Sequence, residues 1–301
     1  MNVLSLFDGM SCGQIALNRL GIKVDNYYAS EIDKYAIKVA QENFPNTIQL
    51  GDISKFESWD INWNKIDLVI GGSPCQGFSF AGKQLNFEDP RSKLFFKYLE
   101  VCEKVGYANP NMKFFLENVR MKKEYQDIIT KHMGIDPIII NSSLVSAQNR
   151  VRLYWTNIGP ITQPEDKGIL LKDIIQNENI EVQLRQSDKI KFENKVLIIP
   201  EATKKGYAEI NPFEGVDLSY LSSKTRRGRR MDKKSNCLTT NYEYCWYNGE
   251  TIRKLTPIEC ERLQTVPDNY TSCVSDNNRY KMLGNGWTVD VIAHFFKNLN
   301  K

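Results

Sequence analysis

Two hydrophobic periods alternate along the first half of the chain. "NVLSLF" (residues 2–7) is a continuous apolar run that predicts a buried strand. After the turn-like "DGMSCG", "QIALNRL" places Ile15, Ala16 and Leu20 at helical spacing. "VDNYYASE" predicts a second strand ending at Glu31, and "DKYAIKVAQENF" an amphipathic helix capped by Asp33. "TIQLGDI" and "KIDLVIGG" predict strands three and four, and "PRSKLFFKYLEVCEKV" a helix with Pro90 in its first turn. "MKFFLENV", "KKEYQDIITKHM" and "DPIIINSSLV" continue as strand, helix and strand. Such alternation implies parallel strands joined by right-handed crossovers, hence a doubly wound, mostly parallel α/β sheet.

The alternation fails after about residue 159. From there to about residue 249 the chain is polar, basic and weakly periodic, with short apolar runs such as "KVLIIP". This predicts a smaller, irregular, partly β domain. Regular signals return with "TPIECERLQ", where Thr256, Pro257 and Glu259 form a helix start with a capping box. The last helix, "TVDVIAHFFKNL", has an apolar face of Val289, Ile292, Ala293 and Phe296 that needs a sheet to cover. The C-terminus is therefore expected to rejoin the first domain, giving residues 1–159 with 275–301 as one domain and 160–274 as the other.

Composition narrows the function classes. Of 301 residues, 41% are hydrophobic and 25% charged, enough for a substantial core. No apolar run approaches the roughly 18 residues that span a bilayer. The N-terminus enters a strand pattern with no basic stretch before it, so no signal peptide and a cytoplasmic location are expected. Seven cysteines without a C-x-x-C spacing, and only His132 and His294, argue against a zinc or iron site. Both histidines read as structural or exposed. The net charge of +4 is mild, but residues 224–234, "KTRRGRRMDKK", hold seven basic side chains and one acidic one. A solvated face is the plain reading of such a run; its place in an irregular region favours an anionic partner such as DNA phosphate.

The candidate chemistry lies at predicted strand ends. Gly9 and Gly13 suit a tight turn and close backbone approach to a ligand. The turn is not the G-x-G-x-x-G that seats a pyrophosphate, so a dinucleotide is disfavoured. Glu31 can accept from ribose hydroxyls and Asp52 from an exocyclic amine, with Ile53 against a purine face. A nucleoside without phosphates fits these ends, and S-adenosylmethionine is one. "GGSPCQGFS" puts Cys75 just past strand four, "FFLENV" puts Glu117 at the end of strand five, and "SAQNRVRLYW" puts Arg150 and Arg152 on alternate positions. Taken singly, Cys75 reads as a buried thiol, Glu117 as a structural pair and the arginines as surface salt-bridge partners. Together they occupy the edge where open α/β sheets bind ligands.

These motifs, with "KMLGNGWTV" before the last helix, resemble the DNA (cytosine-5) methyltransferase family, and most of all the catalytic domains of eukaryotic de novo methyltransferases and their bacterial or phage relatives. The likeness is ordered along the chain except over roughly residues 160–250. It implies an S-adenosylmethionine-dependent Rossmann-like fold with a small target-recognition domain. By the same likeness Cys75 matches the nucleophile, Glu117 the acid on cytosine, and Arg150 and Arg152 the arginines that touch the base and a closing loop. Phe7, Asp8, Gly9, Glu31, Ile32, Asp52, Ile53 and Pro74 match cofactor contacts, with Asn285 and Trp287 in the last motif. Ser11 and Cys12 stand where many members carry two glycines, and "GNGW" departs from the usual residues after the asparagine.

The chemistry accounts for the residue types. Cytosine C5 is a poor nucleophile until a thiolate adds to C6. Cysteine suits that step, given local positive charge to favour the thiolate. A protonated carboxyl can give its proton to N3, and an arginine near O2 stabilises the developing charge. Water is the default base for the C5 proton. Cytosine C6 is unreachable within a stacked duplex, so base flipping is expected. The segment "FSFAGKQLNFEDPRS", with Gly77 and Gly82 near its start, reads as a closing loop or as a simple connector. Gln76, Ser79 and Gln84 are candidates to contact DNA, with Gln76 or Gln84 to fill the gap left by the flipped base. Arg226, Arg227, Arg229 and Arg230 are candidates for phosphate and guanine contacts. The partners implied are double-stranded DNA and a cognate restriction endonuclease acting on the same site, with the enzyme itself a monomer and neither metal nor membrane involved. An RNA methyltransferase would carry a second proline before the motif cysteine and a Cys-Phe-Thr element, and neither is present.

Overall fold

A computed structural model of the chain describes residues 1–73, 93–176 and 187–299. It divides into two compact units: Met1–Asn141, Val151–Pro164 and Val289–Lys301 form the first, and Ser142–Arg150 with Glu165–Thr288 the second.

The first unit is built on β1 (Asn2–Leu6), β2 (Asn26–Ser30), β3 (Ile48–Gln49), β4 (Leu68–Gly71), β5 (Lys113–Val119), β6 (Ile138–Asn141) and β7 (Val151–Thr156). Their order in the sheet is β3-β2-β1-β4-β5-β7-β6. The strands from β1 to β5 pair in parallel, each reached through a helical or 3-10 crossover, as the alternating pattern predicts. β7 differs: it inserts between β5 and β6 and runs antiparallel to both. The alternation predicts six strands and no reversal, because hydrophobic period carries no strand direction. β3 is shorter than its apolar run, with only Ile48 and Gln49 laddered; Asp52 then caps a 3-10 turn over Ile53–Ser58.

The helices are α1 (Cys12–Arg19), α2 (Lys34–Asn43), α3 (Lys93–Ala108), α4 (Lys123–Met133) and α7 (Val289–Phe296) in this unit. Asp33 caps α2 by accepting from Tyr35 N at 2.9 Å, as the sequence predicts. Leu4, Leu6, Val69, Phe95, Tyr98, Leu116 and Trp155 are buried in one core. α7 covers another part of the sheet. Phe295 and Phe296 lie 5.1 Å and 5.5 Å from the Phe115 ring, and Arg19 of α1 pairs with Asp290. Burying each such aromatic contributes roughly 1.5–3 kcal/mol, so the apolar face of the last helix is what returns it to the sheet.

In the second unit β8 (Lys191–Glu193), β9 (Val196–Pro200) and β10 (Tyr207–Ile210) form one antiparallel sheet. β11 (Glu214–Tyr220), β12 (Arg227–Met231), β13 (Tyr244–Tyr247) and β14 (Ile252–Lys254) form another, ordered β12-β11-β13-β14. Leu197, Ile199, Ile210, Val216, Leu218, Cys245 and Tyr247 are their shared core. α5 (Pro257–Leu263) carries the expected capping box: Thr256 Oγ1 accepts from Glu259 N at 3.2 Å and Thr256 N donates to Glu259 Oε2 at 2.8 Å.

α6 (Asp276–Asn285) packs on α5 through Arg279, which pairs with Glu261 at 3.1 Å. Glu261 is fully buried and also accepts from Asn269 N and Thr271 N. This network carries the second unit to Thr288, beyond the residue 274 expected. Among the described residues no helix is long and apolar enough to cross a membrane, and no three His, Cys, Asp or Glu side chains gather to hold a metal ion.

Candidate active site

The turn after β1 has an unusual backbone. Phe7, Gly9 and Ser11 have φ of 57°, 58° and 66°, the left-handed region that side-chain-bearing residues enter at a cost. Gly9 is the residue there for which that conformation is cheap. Its amide donates to Glu31 Oε2 at 2.8 Å, while Glu31 Oε1 accepts from Ile32 N and Asp33 N. The ends of β1 and β2 are thus tied through one carboxylate. Ser30 Oγ donates to Gly51 O at 2.7 Å and ties β2 to β3. Asp52 accepts from Ser54 N, and that hydrogen bond holds its carboxyl below the usual carboxylate range.

Asp8 sits within this turn. Its Oδ1 accepts from Ser5 Oγ at 2.6 Å and Tyr27 Oη at 2.8 Å; its Oδ2 is buried without a partner among the described residues. Burial pushes the carboxyl up to about 6, against the opposing pull of the Ser5 and Tyr27 hydroxyls. Ile53 is buried, whereas Ile32 is 75% exposed, an apolar side chain left open beside Glu31. Phe7, Asp8, Gly9, Glu31, Ile32, Asp52 and Ile53 therefore all lie at the ends of β1, β2 and β3.

The ends of β4, β5 and β7 hold the second cluster. Across the antiparallel ladder Glu117 faces Tyr154 and Val119 faces Arg152, so Glu117 and Arg152 are diagonal neighbours on one side of the sheet. Arg152 Nε lies 2.9 Å from Glu117 Oε1, and both side chains are mostly buried. Asn118, 1% exposed, donates from Nδ2 to Ser73 Oγ at 3.2 Å. It therefore anchors the end of β4 two residues before Cys75. Pro74, Cys75, Gln76, Ser79 and Gln84, with the expected closing loop, lie outside the described residues.

Arg150 falls in the second unit, where it is 3% exposed. Its guanidinium donates to Leu238 O (2.9 Å), Cys237 Sγ (3.2 Å), Gly284 O (3.1 Å) and Gly286 O (2.8 Å). Gln148 accepts from Leu238 N and donates to Leu263 O and Gln264 Oε1; Gln264 in turn donates to Leu283 O and Gly286 O. The "Q-x-R" of the motif thus braces "CLT" against "GNGW". Asn285 is exposed at the end of α6 and Trp287 is half-buried.

The four arginines of β12 and its turn separate by partner. Arg230 forms a two-pronged pair with Glu214, and Arg227 Nη1 donates to Glu201 O at 3.3 Å. Arg226 stacks 4.7 Å over the Tyr220 ring, and Arg229 is exposed. The six described cysteines are free thiols, and burial pushes Cys102 and Cys260 up to about 12, far from a thiolate at neutral pH.

Sequence reasoning singled out Glu117 but passed over Asn118 beside it, and passed over Gln148 within the arginine motif. Asn118 is a polar residue at the end of β5, which is a usable signal; Gln148 lies in an isolated bridge with Ser235, outside any strand. Ser5 and Tyr27, which hold Asp8, carried none.

A family model described as C-5 cytosine-specific DNA methylase matches residues 1–301. The chain is 32% identical over 316 residues to the type II methyltransferase M.HpaII of Haemophilus parainfluenzae, covering 96% of this chain and 86% of that protein. In fold it is similar to a putative DNA modification methyltransferase encoded within an E. coli prophage, with a TM-score of 0.65, 20% identity and full coverage of both chains. It is also similar to a Spodoptera frugiperda DNMT2 mutant, with a TM-score of 0.62, 19% identity and coverage of 100% and 99%.

Proposed function

The chain belongs to the C-5 cytosine-specific DNA methylase family, and from that premise we propose that it methylates a flipped-out cytosine in a short double-stranded DNA sequence through a Cys75–C6 adduct. The observation that carries this reading is the Glu117–Arg152 pair beside the β4 end that Asn118 anchors. A carboxyl and a guanidinium on one side of the sheet match the two edges of a cytosine that gain charge, N3 and O2.

S-adenosylmethionine supplies a methyl group bound to a cationic sulfur. The strand ends fit it on four counts. The left-handed Gly9 lets the backbone come close. The carboxylates of Glu31 and Asp52 accept hydrogen bonds as ribose hydroxyls and an exocyclic amine require. The buried, unpartnered Oδ2 of Asp8 suits the positive charge of that ligand. Ile32 offers an apolar surface to the purine.

The Cys75 thiolate attacks C6, forming the S–C6 bond, and the electron pair moves through the ring toward N3. The Glu117 carboxyl meets the N3 edge and passes a proton to N3 as negative charge gathers there, recovering it when the S–C6 bond breaks. Arg152 keeps Glu117 in place and faces O2, where preorganised positive charge lowers the barrier. C5 takes the methyl group, whose bond to the cationic sulfur breaks to leave a neutral thioether; a water removes the C5 proton, and the S–C6 bond breaks to return the thiolate. Excluding solvent and extruding the base are required because C6 is closed within the stack.

Expression in a host without cytosine methylation, with 5-methylcytosine mapped across its DNA, tests the reading. Methylation in a fixed motif that disappears in Cys75→Ala supports it. Cys75-dependent methylation confined to RNA, or none at all from folded protein, sinks it. A duplex with 5-fluorocytosine at the target should trap a denaturant-stable adduct, because the C5 fluorine cannot leave as a proton does.

A further inference from the structure

The basic run 224–234 is divided by its own partners. Lys234 Nζ donates to Ser143 O (2.8 Å), Ser146 O (3.0 Å) and Ile169 O (2.5 Å), inside the second unit. Arg230 is committed to both oxygens of Glu214, and Arg227 to Glu201 O from a left-handed position with φ of 53°. These three cations hold backbone and strand ends together.

Lys224, Arg226, Arg229 and Lys233 are exposed, and among the described residues none of them donates a side-chain hydrogen bond or joins an ion pair. Asp217 stands directly across the ladder from Arg229, but its carboxylate already accepts from Asn236 Nδ2 at 3.0 Å and Ser219 N at 2.9 Å. The Arg226 guanidinium carbon lies 4.7 Å from the centre of the Tyr220 ring, itself 39% exposed. The turn that presents it is fixed by Ser223 Oγ, which accepts from Thr225 N and Arg226 N.

We infer that Lys224, Arg226, Arg229 and Lys233 form the DNA-contacting surface of the second unit, while Arg227, Arg230 and Lys234 are framework residues that do not meet DNA. The inference rests on the proposed function and deepens it. Its physical content is that cations already satisfied by protein acceptors release no counterions when DNA binds, whereas unsatisfied ones do.

The test pairs two readouts on the full chain: the salt dependence of equilibrium binding to a duplex carrying the methylated motif, and the thermal midpoint. Arg229→Gln and Arg226→Gln should each reduce the slope of log affinity against log salt by about 1 and leave the midpoint unchanged. Arg230→Gln should lower the midpoint by about 2–4 °C and leave the slope unchanged. If Arg230→Gln does not fold, Glu214→Gln breaks the same pair without removing a cation; it should lower the midpoint without reducing the slope. Equal slope losses in Arg229→Gln and Arg230→Gln, or a midpoint loss without slope loss in Arg229→Gln and Arg226→Gln, overturn the division. Wild-type protein that neither methylates nor binds DNA overturns the function itself; wild-type protein that methylates DNA while its variants fail to separate overturns only the division.

Discussion

Arg152 and Arg150 stand two residues apart, and their surroundings differ in kind. Arg152, in the first unit, meets the Glu117 carboxylate across the antiparallel β5–β7 pair and donates to Val151 O at 2.9 Å. Arg150, in the second, meets three backbone carbonyls and a sulfur in a buried web. The first arrangement joins a guanidinium to a carboxylate across the β5–β7 ladder; the second fastens separate chain segments. The same contrast runs through both units. Glu31, Asp52, Glu117 and Arg152 sit at strand ends, whereas Glu259 and Glu261 are fully buried and satisfied by Arg253 and Arg279. Two arginines of one sequence motif therefore fall in different units with different partners.

The sharpest test of that split is kinetic. Glu117→Gln and Arg152→Lys should each lower the methyl-transfer rate by roughly 100-fold or more, because the lost interaction acts on charge that develops during attack. Stability should change by only about 1–2 kcal/mol, measured by denaturant unfolding. A large stability loss with an intact single-turnover rate would move Arg152 into the structural class beside Arg150.

Arg150→Met should do the reverse. It removes the buried Arg150 donor from Leu238 O and Gly284 O and leaves Gly286 O to Gln264 alone, and a loss of roughly 3–5 kcal/mol is expected from chemical denaturation. The cofactor contacts proposed at the β1–β3 ends lie in the other unit, so cofactor affinity in whatever fraction remains folded should fall by no more than the share that Asn285 and Trp287 supply. If Arg150→Met keeps wild-type stability but loses turnover, the comparison breaks.

Asp8 provides a pH signature for the first unit. Its folded carboxyl is raised to about 6 from 3.8, so the folded state holds the proton more tightly than the unfolded chain. Its stabilising contribution is full below about 4 and is lost as pH rises through about 6. The shift of roughly 2 units corresponds to about 3 kcal/mol. Asp8→Asn should flatten this fall in unfolding free energy between pH 4 and 6. A wild-type curve that rises with pH over that range, with Asp8→Asn unchanged, would reject the assignment.

Much of the first unit was legible because its elements are long and periodic. β1, β2, β4 and β5 are apolar runs closed by turns, and the polar residues that follow them fall at one sheet edge by topology alone. The reversal of β7 was not legible, since an extended apolar segment looks the same in either direction. β12 was hidden for another reason: "RGRRM" has no apolar alternation, and it is a strand because β11 pairs with it. α6 is polar on most sides and is held by Arg279 rather than by an apolar stripe. The division between Arg150 and Arg152 was also illegible. Alternate positions share a face only while the chain stays extended, and the boundary between the two units falls between Arg150 and Val151.

Two glycines give the smallest and most local form of the comparison. At Gly9 a Cβ would meet nothing within 4 Å, but φ is +58°, so Gly9→Ala strains the backbone by roughly 1–2 kcal/mol. At Gly284 the conformation is helical, and a Cβ would lie 2.0 Å from Thr239 O and 2.3 Å from Thr239 C. Those are backbone atoms, so the 238–240 segment must move, and overpacking should cost roughly 1–3 kcal/mol despite alanine's better helix propensity. The two substitutions should separate by ligand. Gly9→Ala alters the turn whose amide is fixed by Glu31 and should weaken S-adenosylmethionine binding in titration calorimetry. Gly284→Ala should reduce that affinity less than Gly9→Ala does and weaken DNA binding more, since it displaces the element that Arg150 and Gln148 brace. Equal losses of cofactor affinity in both variants would mean that the web around Arg150 supports the cofactor edge as well, and the functional line between Arg150 and Arg152 would have to be redrawn.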